Sequence, residues 1–413
     1  MDHYDYLIIG NGVAGTTAAE TIRERDAAAS VAIVSDEPYP LYSRVLLPNY
    51  VKGLVRREQV FLRKVGDYAA KQITLLAGDT AIGLNTAGRT ISLASGRALG
   101  FSKLLIASGG RPFPLGIPGE DLHGVSRFQT IDDADRMLEL LIHTTQAVVA
   151  GGSFIALEYL EILVTRRIPA ALVISQPYFF SRFFDAVGGE MLHENFRKHG
   201  IEVIAGERIA AIEGDGAVER VRLARGRAIE ADFIGAGIGL GRNTAWLRHT
   251  GVELTADGIA TDEFLEASPP GVFAAGDVAD FNDVTLGFRH THGNWGNAFR
   301  QGELAGRNMV HPEGKEPYVG VTSYGIRNLG LAIALVGHVS GGPGIRAVSR
   351  MDPTGASHAR FFLREHRLVG AALINRHDDR PVITTLIRDG VPLSNVALAG
   401  LADPKFDIAS LVP

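Results

Sequence analysis

The chain has 413 residues, too many for one hydrophobic core, and so points to two or three domains. Hydrophobic residues at 46% and charged residues at 21% are the proportions of a folded globular protein, not of a disordered one. A net charge of −5 with no basic tract gives no electrostatic basis for binding nucleic acid, and the lack of cysteine excludes thiolate-held iron–sulfur clusters, Cys-type zinc sites and dithiol chemistry.

In chain order, residues 6–9 are a continuous apolar run that predicts a buried strand, residues 10–15 a glycine turn, and residues 13–25 an Ala-, Glu- and Arg-rich helix. Residues 31–34 predict a second strand, closed by Ser35, Asp36 and Glu37. Ser108-Gly109-Gly110-Arg111-Pro112-Phe113-Pro114, with Pro118-Gly119 just beyond, has the Pro/Gly density of a crossing between domains. A second strand, turn and helix start at Ala147: strand 147–150, turn Gly151-Gly152-Ser153, helix 154–166, then strand 170–174. Two such units, about 140 residues apart, predict two nucleotide-binding domains of similar build. From Tyr318 the pattern changes: 359–364 and 368–375 predict a hairpin, 380–389 a helix stopped by Gly390, and 401–413 a short surface extension. No stretch nears the ~20 apolar residues of a membrane span. The acidic start Met1-Asp2-His3-Tyr4-Asp5 lacks the character of a signal or transit peptide, so a soluble, cytoplasmic protein is expected.

Gly10-Asn11-Gly12-Val13-Ala14-Gly15 is a complete G-x-G-x-x-G set between strand and helix. Gly10 permits the tight turn, Gly12 lets the backbone approach a pyrophosphate, and Gly15 lets the helix pack on the strand, while the amides around Val13 and Ala14 face the anion. Asp36, 21 residues after Gly15, stands where a carboxylate accepts hydrogen bonds from a ribose, with Glu37 as the alternative. This set alone leaves FAD and NAD both open. Three further segments separate them: Glu37-Pro38-Tyr39-Pro40-Leu41-Tyr42-Ser43-Arg44 followed by Leu47-Pro48; Ile106-Ala107-Ser108-Gly109; and Val272-Phe273-Ala274-Ala275-Gly276-Asp277.

With these motifs the sequence resembles, along nearly its whole length, the flavoprotein side of the pyridine-nucleotide oxidoreductase family. That group holds rubredoxin and ferredoxin reductases and the flavin portion of assimilatory nitrite reductases. The resemblance implies that Asp277 hydrogen-bonds the ribityl hydroxyls of FAD, with Gly276 giving backbone clearance. It implies that Ala107, Ser108 and Gly109 border the cofactor and that Arg44 lies along its phosphates or ribose. Gly293-Asn294-Trp295-Gly296-Asn297-Ala298 would open a helix, with Trp295 at its start, whose positive end faces the flavin pyrimidine. Reduced flavin carries negative charge there, which a helix N-terminus stabilises.

Where the family has three glycines in the second loop, this chain has Gly151, Ser153 and Ala156. Alanine is tolerated at the last position, whereas a serine at the middle one is expected to crowd the pyrophosphate. The next strand ends Val173-Ile174-Ser175-Gln176, with neither the acid expected for NADH nor an arginine typical of NADPH. Phe154 and Glu158 match the family's positions near the nicotinamide and are the expected catalytic residues. This domain therefore reads as binding NAD(P)H with altered affinity or preference, NADH slightly favoured. Ferredoxin reductases of the oxygenase type carry a lysine soon after the Tyr-x-Arg segment; Asn49-Tyr50 here looks more like the rubredoxin- and nitrite-reductase branch. His290 and His292 have nothing carboxylate-rich beside them in the sequence, so no metal is expected, and they would line the flavin pocket or cap the following helix. The run Tyr178-Phe179-Phe180-Ser181-Arg182-Phe183-Phe184 reads either as an exposed docking patch or as a helix packed on the nucleotide domain.

The expected fold is α/β, with two Rossmann-like dinucleotide-binding domains and a C-terminal α+β domain. Residues 1–112 and 245–317 would form a discontinuous FAD domain, 113–244 an NAD(P)H domain, and 318–413 an interface domain covering the flavin from the far side. The resemblance implies an FAD-dependent NAD(P)H oxidoreductase passing electrons to a one-electron carrier. Rubredoxin, ferredoxin or an iron–sulfur subunit of a larger redox complex would serve, and the flow could also run in reverse. Two alternatives stay open: a flavin-bearing electron-transfer or redox-responsive subunit with a degenerate NAD site, and an NADH oxidase. A homo-oligomer or a hetero-complex is compatible with each.

Overall fold

The computed structural model describes residues 1–412. The chain forms two compact units, the first made of residues 1–45, 56–111 and 241–322, the second of residues 46–55, 112–240 and 323 onward. The passage at 111/112 falls inside the Pro/Gly-dense segment, and the return passage at 240/241 falls in the strand that pairs with it, Gly110–Pro112 lying beside Leu240–Arg242.

In the first unit, strand Asp2–Ile9 lies inside a seven-stranded sheet. It pairs in parallel with Val31–Ser35, Tyr6 opposite Val31, and with Ala98–Ile106, Tyr6 opposite Lys103. The strand Ile73–Ala77 extends the sheet beyond Val31–Ser35. Ala98–Ile106 is long enough to serve two partners: Leu99 and its neighbours pair antiparallel with Thr90–Leu93, while Leu104 to Ile106 pair in parallel with Val272–Ala274. That second pairing returns a segment some 170 residues downstream to the sheet. Residues 6–9 and 31–34 are unbroken apolar runs, buried throughout because both faces of the sheet are covered there. Tyr6 and Ile8 pack with the helices Val13–Arg25 and Trp295–Val310, and Leu7 and Ile9 with Leu84, Ile91, Leu247 and Val252. The two helices cross at glycines: a Cβ on Gly302 would come within 2.2 Å of the Ala14 carbonyl oxygen, and one on Gly306 within 2.8 Å of that of Ala18.

The second unit holds a parallel sheet in the order Glu202–Ala205, Ala170–Ile174, Ala147–Ala150, Phe233–Ala236, Val125–Ser126. Helices Ile131–Leu141, Phe154–Thr165 and Ala186–Lys198 belong to it. It also holds a five-stranded antiparallel sheet, Ser323–Asn328, Leu331–Gly337, Arg367–Ile374, His358–Arg364, Ile345–Met351, against which helix Arg380–Arg388 lies. The predicted hairpin is the pair His358–Arg364 and Arg367–Ile374.

Two expectations fail. The tail is no loose surface extension: the guanidinium of Arg350, 1% exposed, donates to the carbonyls of Leu401 (2.9 Å), Phe406 (3.2 Å) and Gly400 (3.4 Å). The run 178–184 is neither helix nor exposed patch. It is a turn that buries Phe179, Phe180 and Phe184, and the helix begins only at Ala186, capped by Asp185. Closely spaced aromatics bury more area by folding back on the sheet than a one-sided helix would allow. Among the described residues no helix is long and apolar enough to cross a membrane.

Candidate functional site

Crowding dictates the first glycine turn. Gly10 has φ +113°, and a Cβ there would lie 2.2 Å from the Ala107 carbonyl oxygen; one on Gly15 would lie 1.9 Å from that of Gly10. Any side chain at either position would force the helix off the strand. Gly12 differs. Nothing lies within 4 Å of its would-be Cβ, and it precedes Val13–Arg25 as an N-cap with no side-chain bond. Open space before an uncapped helix start is a cradle for an anion. Ala107-Ser108-Gly109 is clasped by Asn243: Ser108 Oγ donates to the Asn243 carbonyl (3.0 Å), while Asn243 Nδ2 and N donate to the carbonyls of Ser108 (2.9 Å) and Gly109 (3.0 Å).

Both acids after strand Val31–Ser35 are paired. Asp36 accepts from Arg111 at 2.5 Å on the surface; Glu37 accepts from Tyr42 Oη and Arg44 Nη2, each at 2.5 Å. The Arg44 guanidinium also lies over the Tyr42 ring, 5.2 Å from its centroid. Asp277 sits in the tight turn Gly276–Val278, where Gly276 has φ +79° and its N–H donates to Gln301 Oε1 at 2.8 Å. Burial holds the Asp277 carboxyl above the usual carboxylate range, against the pull of Arg242 and Arg44. Arg242 Nη1 stands 4.0 Å away, too far for a hydrogen bond, so the carboxylate keeps its acceptor sites open. A partly buried carboxylate in need of donors, near an open glycine cradle in the same unit, fits a polyhydroxylated dinucleotide such as FAD. Trp295 opens the helix Trp295–Val310, packed on the core beside Val13–Arg25.

The histidine pair is corrected on two points. Asn294, not a histidine, caps that helix, its Oδ1 accepting from Asn297 N at 2.9 Å. A carboxylate does accompany the pair: Asp283 Oδ2 lies 2.8 Å from His290 Nε2, and Asp283, His290 and His292 lie close enough together to share an ion. Asp283 Oδ1 meanwhile accepts from the amides of Thr285 (2.8 Å) and Leu286 (3.1 Å), so the cluster closes the hairpin turn.

In the second unit, Gly151 has φ +112°, and a Cβ there would meet the Gly237 carbonyl oxygen at 2.2 Å. Ser153 does not aim its hydroxyl at the space before the helix, so the expected crowding does not come from that group. Its Oγ donates to the Gly237 carbonyl at 2.6 Å and accepts from Ala156 N at 3.4 Å, capping Phe154–Thr165 from inside. Ala156 fits where the family has glycine because Gly237 faces it: a Cβ on Gly237 would lie 2.5 Å from Ala156 N. Phe154 packs against Phe180 (centroids 4.7 Å apart), Tyr324 (4.8 Å) and Phe183 (5.9 Å). Glu158, one turn on, is pushed up to about 7 by burial, with Glu161 adding to the rise and Lys52 opposing it. A carboxyl balanced near neutrality can hold or release a proton at working pH.

Thus each unit gathers its own set of expected residues: Gly10 to Gly15, Asp36, Glu37, Arg44, Ala107 to Gly109, Gly276, Asp277 and Trp295 in the first, Gly151, Ser153, Phe154 and Glu158 in the second. Asn243, Lys52, Glu161 and Tyr324 were not foreseen. Asn243 and Tyr324 carry no local signal. Lys52 and Glu161 had one, Glu161 lying a helical turn after Glu158 and Lys52 being a lone cation in an apolar stretch.

Residues 4–302 match the pyridine nucleotide-disulphide oxidoreductase family. The nitrite reductase [NAD(P)H] of Bacillus subtilis is 26% identical over 98% of this chain, which spans about half (49%) of that protein. The ferredoxin reductase subunit of a 5,5'-dehydrodivanillate O-demethylase from Sphingobium sp. is 28% identical, covering 99% of both chains. Among solved structures, the putidaredoxin reductase in a covalent complex with putidaredoxin superposes with a TM-score of 0.90 at 23% identity, covering 99% of this chain and 98% of that one, and so shares the fold.

Proposed function

The chain belongs to the pyridine nucleotide-disulphide oxidoreductase family, whose members use FAD and NAD(P)H, and from that premise we propose that it carries electrons between a nicotinamide nucleotide and an iron–sulfur protein. One observation carries the proposal. Two glycine turns, each before a helix start, stand in separate units of a chain with no cysteine, so a thiol relay is impossible and electrons must leave directly to an external acceptor. When bound, the flavin exchanges electrons in pairs with a nicotinamide and singly with a metal centre.

The residues around it bind and orient. The open amides at Gly12 to Gly15 take the pyrophosphate, Arg44 and the acids Asp36 and Glu37 the adenosine end, and Asp277 the ribityl hydroxyls, bordered by Ala107 to Gly109. Trp295 and its helix start meet the pyrimidine edge. In the other unit Gly151 and the amides after Ser153 hold the nucleotide phosphates, with Phe154 and Glu158 beside the nicotinamide. We divide the chain functionally into an FAD domain (1–112 and 245–317), an NAD(P)H domain (113–244) and an interface domain (318–413). We place it in the cytoplasm as part of a homo-oligomer or a hetero-complex. The ferredoxin reductase subunit that matches over its whole length supports an iron–sulfur partner. A second reading, a flavin subunit whose nucleotide site does not turn over, draws on Ser175-Gln176, which offers no charged ribose reader. Anaerobic stopped-flow reduction of the FAD-loaded protein by NADH and by NADPH tests the proposal: bleaching by NADH is expected, and inertness to both nucleotides would leave the second reading.

A further inference from the structure

Glu158 and Glu161 stand one turn apart on the helix Phe154–Thr165 and therefore share a face. A single cation serves both. Lys52 Nζ is ion-paired with Glu161, and the same charge pulls on Glu158. The Lys52 side chain is 10% exposed and that of Glu161 18%, so solvent screens their fields little. Glu161 is fixed further by accepting from Leu329 N at 3.3 Å. Lys52 stands on a short segment anchored within the same unit: Tyr50 Oη donates to Asp135 at 2.7 Å, and Arg166 Nη2 donates to the Val51 carbonyl at 2.8 Å. Glu158 itself has no ion pair and no hydrogen bond from its carboxyl among the described residues.

The other elements packed on this helix add little charge. Strands Ala147–Ala150, Ala170–Ile174 and Phe233–Ala236 carry no titratable side chain. Strand Ser323–Asn328 offers Tyr324, which burial and the Glu158 charge push up so that it stays neutral, and Arg327, which alternation sends to the opposite face. The proton on Glu158 is thus governed by burial, by Lys52 and by Glu161. Lys52 and Glu161 act in opposite senses.

We propose that Lys52 and Glu161 are positioning residues that set whether Glu158 is a carboxylate or a neutral acid when oxidised nucleotide is bound, making the affinity for NAD⁺ pH-dependent. This rests on the reading of the second unit as the nucleotide unit. Its chemical basis is that loss of hydride turns the nicotinamide ring into a cation. An ionised Glu158 attracts that cation; a neutral one does not, and the uncharged ring of NADH responds weakly to either form.

Two readouts on the FAD-loaded protein test the proposal. Infrared difference spectroscopy follows the Glu158 carboxyl stretch, identified by its loss in Glu158→Gln, and calorimetry follows NAD⁺ and NADH affinity between pH 5.5 and 8.5. In the wild type the carboxyl should titrate near neutrality and NAD⁺ binding should tighten roughly threefold to tenfold as it ionises, with NADH nearly flat. Lys52→Met should move both inflections up by about one unit, Glu161→Gln should move them down, and Lys52→Arg should restore the wild-type curve. A carboxyl titration that stays put, or that moves the same way in Lys52→Met and Glu161→Gln, overturns the inference. Opposite movements of the carboxyl with no matching change in NAD⁺ affinity overturn instead the assignment of this unit to the nucleotide.

Discussion

Ser153 holds two parts of the nucleotide loop together, and removing its hydroxyl should cost stability rather than improve binding. In the structure Oγ donates to the buried Gly237 carbonyl at 2.6 Å and accepts from Ala156 N at 3.4 Å. Leaving a buried acceptor without its donor costs about 1–3 kcal/mol, and losing a serine N-cap to alanine about 1 kcal/mol. The long 3.4 Å bond is the weaker of the two, so Ser153→Ala should lose about 2 kcal/mol in total, lowering the melting temperature of a unit of this size by about 4–8 °C. Ser153→Gly should lose somewhat less, because glycine caps helices tolerably. Urea and thermal unfolding measure the first quantity, and titration of NADH fluorescence the second, where affinity should change by no more than a factor of about three. A Ser153→Gly protein that melts like the wild type and binds NADH tenfold more tightly would refute the reasoning, since the serine would then be facing the phosphates.

Asp277→Ala should be purified largely colourless, because bound hydroxyls would lose their acceptor at about 1–3 kcal/mol; a full complement of FAD would show the carboxylate lies elsewhere. Glu158→Gln should stabilise the fold at high pH. The folded-state value near 7 lies above the ordinary 4.5, so the buried carboxyl costs nothing below pH 4.5 and progressively more as pH rises to 7. The gain should be absent at pH 4 and reach at most about 3 kcal/mol above pH 7, read from urea melts at the two pH values. Arg350→Met should leave three carbonyls without their donor, costing about 2–4 kcal/mol and exposing the segment after Gly400 to limited proteolysis. An intact tail under conditions that digest no other site would argue that Leu401 and Ile408 alone hold it.

The glycine turns were legible because their causes are local. A residue at φ +113° with a carbonyl oxygen 2.2 Å from its would-be Cβ has to be glycine, and that requirement is written in the sequence at Gly10 and again, with φ +112°, at Gly151. The strands followed from unbroken apolar runs, and the hairpin near residue 366 from two such runs with a turn between them. What escaped was set by partners far along the chain. Ser153 reads as obstructive in the sequence because the carbonyl that accepts its hydrogen bond belongs to Gly237, 84 residues away. Asp283 joined His290 only across a hairpin, the tail was fastened by an arginine some fifty residues earlier, and Lys52 found its partner 109 residues downstream. The aromatic run 178–184 misled for a different reason: its spacing fits a helix face, but turning inward buries Phe179, Phe180 and Phe184 and packs the Phe180 ring against those of Phe179 and Phe183.

The central claim is that electrons leave this protein to an iron–sulfur carrier without a thiol intermediate. Its most direct test reduces the FAD-loaded protein anaerobically with one equivalent of NADH, then mixes it in a stopped-flow instrument with rubredoxin, a [2Fe–2S] ferredoxin, dissolved oxygen or a small disulfide at matched concentration. At least one iron–sulfur protein should restore the oxidised flavin spectrum far faster than oxygen, and the disulfide should do nothing. Reoxidation dominated by oxygen, with neither carrier competing, would contradict the claim and make the protein an oxidase.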